Sequence, residues 1–147
     1  MSRPLVCVVD ANVALRLVFE QDHSDRADRL FRHLAEVSGA RFYVPDLFFA
    51  EFASALTLFV RHHRYPAAKA RKDLADMVAM APIVVPTFDL VKDAMELSLA
   101  HWISGYDAVY VALSKRLGAP LVTVDGGLVN ALNGKPFQIL PLAELEI

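Results

Sequence analysis

Short apolar runs alternate with longer amphipathic stretches along this chain. The runs are bounded by charged or turn-forming residues, which is typical of short buried strands. They predict strands at 5–9, 42–44, 83–85, 121–124 and 137–140. Between the runs, apolar residues recur every three or four positions, which is the spacing of amphipathic helices. They predict helices over about 12–19, 24–38, 66–80, 88–101, 106–117 and 125–132, and a long helix that begins at 46.

This alternation predicts an α/β fold with a buried, mostly parallel sheet. The 147 residues contain no linker or repeat, so we expect one domain over residues 1–147. Asp46 is placed to cap the helix that it opens, and Gly118 to end the helix of 106–117. No membrane span is expected, because the longest charge-free run is the twelve residues Met77–Phe88 and a span needs about 18.

Composition and charge narrow the class of protein. The chain is 55% apolar with a mean hydropathy of +0.35, which suggests a buried sheet and an apolar face kept for a partner. Its net charge of −2 gives no global attraction for nucleic acid, so contact with a polyanion needs a local patch. The single cysteine, Cys7, excludes an internal disulfide, and Asp10 interrupts the apolar run that a signal peptide would need. We therefore expect a cytoplasmic protein.

Four carboxylates stand alone in apolar stretches that are far apart in the sequence. Asp10 and Asp125 directly follow predicted strands, at the edge where parallel sheets bind ligands. Glu51 lies about one turn into a mostly apolar helix, and Asp107 lies in the first turn of another. A buried carboxylate without a partner is costly, and carboxylates brought together repel one another. A hard divalent cation is the simplest compensation.

Each carboxylate also has a plainer interpretation. Asp10 and Asp125 are at positions where aspartate commonly caps a helix or forms a turn. Ser104 and Asp107 have the spacing of a capping box, in which both side chains bond free amides. Glu51 could face water along one stripe of its helix. Four such acids together nevertheless favour a shared site.

The carboxylates lie in motifs that resemble those of the PIN-domain nucleases. The segment Val8–Leu15 is similar to the opening motif of that family, and Phe49–Leu56 to the segment around its second acid. Tyr106–Leu113 is similar to the third acidic motif and is the most specific match, and Leu121–Asp125 resembles the fourth. Order and spacing match over nearly the whole chain. The most similar subgroup is the small VapC-like toxins of toxin–antitoxin pairs.

The resemblance implies a three-layer α/β/α PIN-like domain, with a five-stranded, mostly parallel sheet of order 3-2-1-4-5 and helices on both faces. It also implies an endoribonuclease that hydrolyses RNA phosphodiester bonds with Mg²⁺ or Mn²⁺. The catalytic residues and metal ligands that carry over are Asp10, Glu51, Asp107 and Asp125. Asn12 and Thr123 carry over as supporting polar residues. Many relatives have another acid after the fourth, but Gly126, Gly127 and Leu128 follow here, which leaves the number of metal ions open.

Two kinds of protein partner are also implied by the resemblance. One is a small antitoxin protein whose tail would cover the active site, and the other is a second copy of the chain in a homodimer. Aromatic residues beyond the needs of a small core could line these surfaces, although core packing is the plainer interpretation of most. They are Phe19, Phe48, Phe59, Tyr65 and Trp102.

A basic segment between two predicted helices is a candidate RNA contact. The window 61–72 contains no acid, and its five cations are Arg61, Arg64, Lys69, Arg71 and Lys72. They could contact phosphates. The plainer alternative is a solvated turn whose cations complement the end of a helix. A second basic stripe, within 24–38, alternates with acids and is typical of an ordinary solvated helix face.

Other functions have less support from the residues. A receiver domain needs a lysine placed after the last strand, which this chain lacks, and a haloacid-dehalogenase-like phosphatase needs Asp-x-Asp where the chain has Asp10-Ala11-Asn12. None of the five histidines has a metal-binding spacing. A DNA-directed PIN-like nuclease and a non-catalytic metal- or partner-binding module stay open as alternatives.

Overall fold

In residues 3–19 and 21–147, which this computed structural model describes, five parallel strands form the centre of the molecule. They are β1 (Val6–Val9), β2 (Arg41–Pro45), β3 (Ile83–Val85), β4 (Leu121–Thr123) and β5 (Ile139–Pro141). The order across the sheet is β3-β2-β1-β4-β5, and all four pairings are parallel. The predicted fold class and strand order are confirmed. Parallel strands place their carboxyl ends at the same edge, where the candidate acids follow.

The middle strand, β1, positions the first carboxylate. Val8 pairs with Tyr43 of β2 on one side and with Leu121 of β4 on the other. The last three residues of β1 are fully buried, because helices cover both faces of the sheet. The Asp10 amide extends the pairing by donating a hydrogen bond to the Val122 carbonyl oxygen at 3.1 Å. The chain after β1 and the chain after β4 therefore lie side by side.

Helices pack on both faces of this sheet. The described residues form α1 (Ala11–Leu15), α2 (Ser24–Glu36), α3 (Leu47–His62), α4 (Ala67–Ala79), α5 (Val91–His101), α6 (Gly105–Leu117) and α7 (Gly126–Leu132). Short 3-10 turns at Thr87–Asp89 and Leu142–Glu144 complete the regular structure. None of these helices combines the length and apolar character that crossing a membrane requires.

The first helix is shorter than predicted. The sequence predicts a helix to Phe19, but α1 ends at Leu15 and the chain continues in tight turns, such as the 3.1 Å bond from the Leu17 amide to the Ala14 carbonyl. Phe19 then stacks on Phe59 of α3, with ring centroids 4.7 Å apart. The chain therefore leaves the helical path before Phe19, and Phe19 packs against α3 instead.

The most deeply buried helix is α6, which carries one of the four acids. Seven consecutive residues, Ala108–Ser114, are buried, so every side of this stretch is in contact with protein. The helix ends at Gly118, as predicted, with a φ of +63° that glycine adopts without strain. Its packing against β1 and β2 fixes the position of its N-terminus at the carboxyl edge of the sheet.

The predicted capping role of Asp46 is wrong. Its side chain makes no bond to the amides of α3, because its backbone is helical (φ −59°, ψ −25°) and not extended as in a capping residue. The carboxylate instead accepts a hydrogen bond from the Thr87 amide at 2.9 Å and another from the Thr87 hydroxyl. Because β3 lies beside β2, the segments after these two strands meet, and Asp46 joins them.

Candidate active site

Asp10 is the most buried of the four predicted acids. It directly follows β1, and only 4% of its surface is exposed. Its Oδ1 accepts a hydrogen bond from the Asn12 amide at 3.4 Å, which caps α1, and its Oδ2 accepts one from the Thr123 hydroxyl at 2.9 Å. The capping interpretation is therefore correct, and the same carboxylate also faces β4. The bond from Asn12 comes from its backbone, and the Asn12 residue itself is exposed.

Asp125 occupies the equivalent position after β4. Its Oδ1 accepts a hydrogen bond from the Leu128 amide at 3.1 Å and caps α7. Its own amide donates to the Thr123 hydroxyl oxygen at 3.1 Å. The fully buried Thr123 hydroxyl therefore donates to Asp10 and accepts from Asp125, so that one side chain fixes the relative positions of two acids.

Asp107 lies in the first turn of α6, as predicted. The Ser104 hydroxyl caps this helix by accepting a hydrogen bond from the Asp107 amide at 3.0 Å. This is the serine half of the predicted capping box. Burial, and after it repulsion from the nearby Asp125, raises the pKa of the half-buried Asp107 carboxylate. Asp107 therefore belongs to the same group of charges.

Glu51 reaches the group from α3 and is held by a residue that the sequence analysis did not single out. The Tyr110 hydroxyl donates a hydrogen bond to Glu51 Oε1 at 2.7 Å. Tyr110 is only 2% exposed, and it lies three residues after Asp107 on α6. A buried tyrosine hydroxyl needs a partner, and this need is the one signal in the sequence that could have pointed to Tyr110.

The four carboxylates form one electrostatic unit, which we call the acid cluster (Asp10, Glu51, Asp107 and Asp125). Burial raises the pKa of Asp10 to about 6, and repulsion from Asp107 and Glu51 adds to the effect, against the Thr123 hydrogen bond that lowers it. Burial likewise raises the pKa of Glu51, with a further rise from Asp107. Burial followed by repulsion from Asp125 raises the pKa of Asp107. Burial and repulsion between the acids therefore destabilise the charged forms of Asp10, Glu51 and Asp107.

Backbone dipoles offset part of this repulsion. The N-termini of α1, α6 and α7 all lie at the carboxyl edge of the sheet, directly after or beside an acid. The N-terminus of a helix carries a partial positive charge that stabilises a nearby anion. The salt bridges of the described residues, by contrast, involve none of the four acids. Within the part of the chain that the structure describes, the acid cluster therefore has polar contacts but no side-chain cation paired with it.

The donor set of the acid cluster fits a hard divalent cation in its chemistry. All of its charged donors are carboxylate oxygens, which Mg²⁺ and Mn²⁺ prefer. Within the described residues, however, no three Asp, Glu, His or Cys side chains converge as ready ligands of one ion. Mg²⁺ usually binds one or two carboxylates and keeps several waters. The cluster as placed therefore fits an ion that is held by one or two carboxylates, with the other acids acting through water.

The five predicted RNA-contacting cations lie apart from the acid cluster. They are exposed at the tip where α3 and α4 join, and we call them the basic tip (Arg61, Arg64, Lys69, Arg71, Lys72). Ten residues along α3 separate Glu51 from Arg61, or about 15 Å. Lys72 pairs with Asp76 at 2.7 Å, whereas Arg61 and Arg71 border a shallow groove of about 240 Å³.

Comparisons with known proteins find relatives over most of this chain. Residues 7–131 match the family model of the PIN domain. The chain is 30% identical over 125 residues to Ribonuclease VapC3 of Pyrobaculum aerophilum, which covers 84% of this chain and 92% of that protein. It is 32% identical over 135 residues to Ribonuclease VapC9 of Mycobacterium tuberculosis, which covers 91% of this chain and 98% of that protein.

A solved structure shows the same fold at low sequence identity. A toxin–antitoxin complex from Klebsiella pneumoniae contains a chain that superposes with a TM-score of 0.64 at 13% identity, covering 95% of this chain and 99% of that one. The fold and the extent of the sequence matches agree. The chain belongs to the PIN-domain family, and within that family it belongs with the VapC proteins.

Proposed function

We propose that this protein is an endoribonuclease, the toxin of a toxin–antitoxin pair, and that its acid cluster holds Mg²⁺ or Mn²⁺ for the hydrolysis of RNA phosphodiester bonds. VapC relatives that are named ribonucleases support RNA as the substrate. One observation carries the metal-dependent part of the proposal. Four carboxylates from four separate segments interact with one another, and no side-chain cation is paired with them among the described residues. Burial, together with repulsion from the neighbouring acids, raises the pKa of Asp10, Glu51 and Asp107.

Two acids are assigned as direct metal ligands in this proposal, Asp10 and Asp107. The Thr123 hydroxyl fixes the Asp10 carboxylate, so that its oxygens are oriented before an ion binds. A bound divalent ion would lower the pKa of a water and stabilise charge on the scissile phosphate. Asp125 either binds the ion directly or through water, and Asn12 lies at the rim of the site.

Glu51 is assigned the role of orienting the attacking water. Tyr110 occupies Oε1, so proton acceptance from that water falls to Oε2. Burial raises the pKa of Glu51, which makes its carboxylate a stronger base than a solvated glutamate. The Tyr110 bond also holds the Glu51 side chain in a single orientation towards the other acids.

Cleavage of RNA by protein purified without its partner tests the proposal. The wild-type protein should cut total RNA with added Mn²⁺ or Mg²⁺ and stop with a chelator, and Asp10→Asn should abolish cutting with the fold intact. Asp28→Asn, at an exposed α2 carboxylate, is the matched control and should cut like wild type. Full activity of Asp10→Asn, or full activity in chelator, would contradict the metal assignment. DNA of matching sequence tests the alternative polymer, and no cutting of either polymer would favour a binding module.

The basic tip is proposed to contact RNA phosphates beyond the scissile bond. Replacing Arg61, Arg64 and Arg71 by glutamine should weaken RNA binding and flatten its dependence on salt, because fewer counterions are released. A matched control replaces Arg29 and Arg32 of α2, which pair with acids on their own helix. An unchanged salt slope in the first variant would contradict this contact.

Two protein partners complete the proposal. A small antitoxin is proposed to cover the acid cluster with its tail, in keeping with the fold shared with a chain of a toxin–antitoxin complex. A homodimer is proposed as the second assembly. Co-expression with the product of a short neighbouring reading frame should give a complex without ribonuclease activity. An active complex would contradict coverage of the site.

A further inference from the structure

Three aromatic residues in the described part of the chain are largely exposed, and one of them lies beside the acid cluster. They are Phe88, Trp102 and Tyr106, with exposed fractions of 86%, 90% and 67%. Only Tyr106 is next in sequence to one of the four acids, because it directly precedes Asp107 in the first turn of α6. Its ring is therefore available to a molecule that approaches these acids.

The geometry of α6 directs the Tyr106 ring towards the open side of the acid cluster. Tyr106 and Tyr110 are four residues apart, so they lie on the same side of the helix, one turn from each other. The Tyr110 hydroxyl reaches Glu51 at 2.7 Å. Helical side chains tilt towards the N-terminus of their helix, and that end of α6 lies at the carboxyl edge of the sheet. Tyr106 therefore lies on the solvent side of the pair formed by Tyr110 and Glu51.

No contact within the described residues explains why this ring is an aromatic one. The hydroxyls of Tyr43, Tyr65 and Tyr110 each take part in a side-chain hydrogen bond. Among the residues that the structure describes, neither a side-chain hydrogen bond nor an aromatic pair involves Tyr106. The ring is thus available for stacking on another planar group.

The start of α6 holds this ring in a defined place. The Ser104 hydroxyl accepts a hydrogen bond from the Asp107 amide at 3.0 Å, and the Ser98 hydroxyl donates one to the Ile103 carbonyl oxygen at 2.6 Å. Ile103 is buried and anchors the segment that leads into the helix. A tyrosine has only two side-chain torsions, so a ring on this support loses little conformational entropy when a ligand stacks on it.

Electrostatics favour an uncharged contact at this position. The net charge of the chain is −2, and the acid cluster adds negative potential where the scissile phosphate must lie. A lysine or arginine beside Asp107 would pair with the carboxylates and compete with a divalent ion for them. An aromatic ring binds the base of a nucleotide and leaves the acids unpaired, and every base has a face on which a ring can stack.

The basic tip alone does not orient a nucleotide at the acid cluster. About 15 Å along α3 separates Glu51 from Arg61, so phosphate contacts at the tip hold the strand at a distance from the reacting bond. A displacement of about 1 Å at the reacting atoms can cost a factor of about 100 in rate. A second contact, close to the acids, is therefore needed to place one phosphodiester bond correctly.

We infer that the Tyr106 ring stacks on an unpaired base of the RNA, in a nucleotide that adjoins the phosphodiester bond at the acid cluster. The inference rests on the ribonuclease function proposed above and adds to it a residue that binds and positions the substrate. Since purines stack more strongly than pyrimidines, Tyr106 also gives the site a preference for a purine at this nucleotide.

Binding of short oligonucleotides tests the inference in the Asp10→Asn background, in which the proposed chemistry does not cut the probe. Fluorescence anisotropy with Mg²⁺ present compares labelled oligoadenylate with labelled oligouridylate. Adding Tyr106→Leu should raise the Kd for oligoadenylate at least about fivefold and remove the preference over oligouridylate, whereas adding Tyr106→Phe keeps the ring and should retain both. Phe88→Leu, at an exposed ring that follows the edge strand β3, is the matched control and should change neither.

Cleavage and metal uptake distinguish stacking from damage to the site. In the otherwise wild-type chain, Tyr106→Leu should lower kcat/KM for RNA cleavage at least about fivefold, and Tyr106→Phe should restore it. Uptake of Mn²⁺ in calorimetry should be the same in all three proteins, because Asp107 keeps its place. Loss of Mn²⁺ uptake by Tyr106→Leu would show that Tyr106 supports Asp107 structurally and would overturn the stacking role.

The remaining outcomes separate this inference from the proposed function. A wild-type chain that cuts RNA, with Tyr106→Leu binding and cutting equally well, would overturn the inference alone. Equal losses in Tyr106→Phe and Tyr106→Leu would assign the effect to the hydroxyl and overturn stacking. A chain that neither cuts RNA nor binds either oligonucleotide would overturn both the inference and the proposed function. Unchanged RNA binding with lost antitoxin binding in Tyr106→Leu would assign the ring to the antitoxin and overturn the inference.

Discussion

Replacing Asp10 by asparagine should stabilise the metal-free protein while it abolishes cleavage. Burial raises the pKa of Asp10 from 3.8 to about 6. The folded protein therefore binds more protons than the unfolded chain between about pH 4 and pH 6, and the free energy of unfolding falls as pH rises through this window. At neutral pH, where the carboxylate is charged, its burial lowers the free energy of unfolding by about 3 kcal/mol, at 1.36 kcal/mol per pKa unit.

The net gain is smaller than this cost, because asparagine has only one acceptor oxygen. Asp10 accepts bonds from both the Asn12 amide and the Thr123 hydroxyl, and losing one costs about 1 kcal/mol. We therefore expect Asp10→Asn to raise the free energy of unfolding by roughly 1–2 kcal/mol at pH 7 in a chelator. This corresponds to a rise of roughly 3–8 °C in melting temperature. The gain should vanish near pH 4.5. The folded carboxyl is protonated there, and ionisation in the unfolded chain alone leaves a cost of about 1 kcal/mol, which equals the cost of the lost hydrogen bond.

Thermal and urea unfolding at the two pH values measure this gain. Asp28→Asn, at an exposed carboxylate paired with Arg32, should change stability little at either pH. Added Mg²⁺ should raise the melting temperature of the wild type and of Asp28→Asn, but not of Asp10→Asn. The reasoning would be refuted if Asp10→Asn were less stable than wild type at pH 7. It would also be refuted if the stability difference from wild type were the same at both pH values.

Three further substitutions examine the supports of the acid cluster. Thr123→Val removes the hydroxyl bonded to Asp10 and should weaken Mn²⁺ affinity by about 10–100-fold, whereas Thr123→Ser should retain it, as measured by calorimetry. Tyr110→Phe frees Glu51 and should lower the cleavage rate by about tenfold with little effect on RNA affinity; an unchanged rate would contradict its positioning role. Ser104→Ala removes the cap of α6 and should lower the free energy of unfolding in urea by about 1 kcal/mol. Unchanged stability of this variant would contradict the capping role.

The strands and two of the acids are predictable from local sequence, for a physical reason. A parallel strand covered on both faces needs apolar side chains throughout, so it appears as a continuous apolar run. Asp10 and Asp125 end two such runs, and neighbouring parallel strands place their carboxyl ends together. The approach of Glu51 and Asp107 depends on how α3 and α6 pack, which no local pattern encodes. For these two acids, the resemblance to a family supplied what periodicity could not.

Contacts between distant segments account for what the sequence did not predict. Tyr110 lies in an apolar run and looks like an ordinary core residue, because its partner Glu51 is 59 positions away. Asp46 has the sequence context of a helix cap, yet its partner Thr87 follows a neighbouring strand. The α5 helix has apolar residues on more than one side, so its periodicity does not reveal which side packs against α6 and which side stays exposed.

Titration of Mn²⁺ into the purified, antitoxin-free protein tests the central claim most directly. Isothermal calorimetry should show uptake of at least one ion by the wild-type chain, and none by a variant in which Asp10 and Asp107 are both asparagine. Because this variant lowers the charge of the acid cluster, it should remain folded. No heat of binding to the wild type, or the same uptake by the double variant, would contradict a metal site built from these carboxylates.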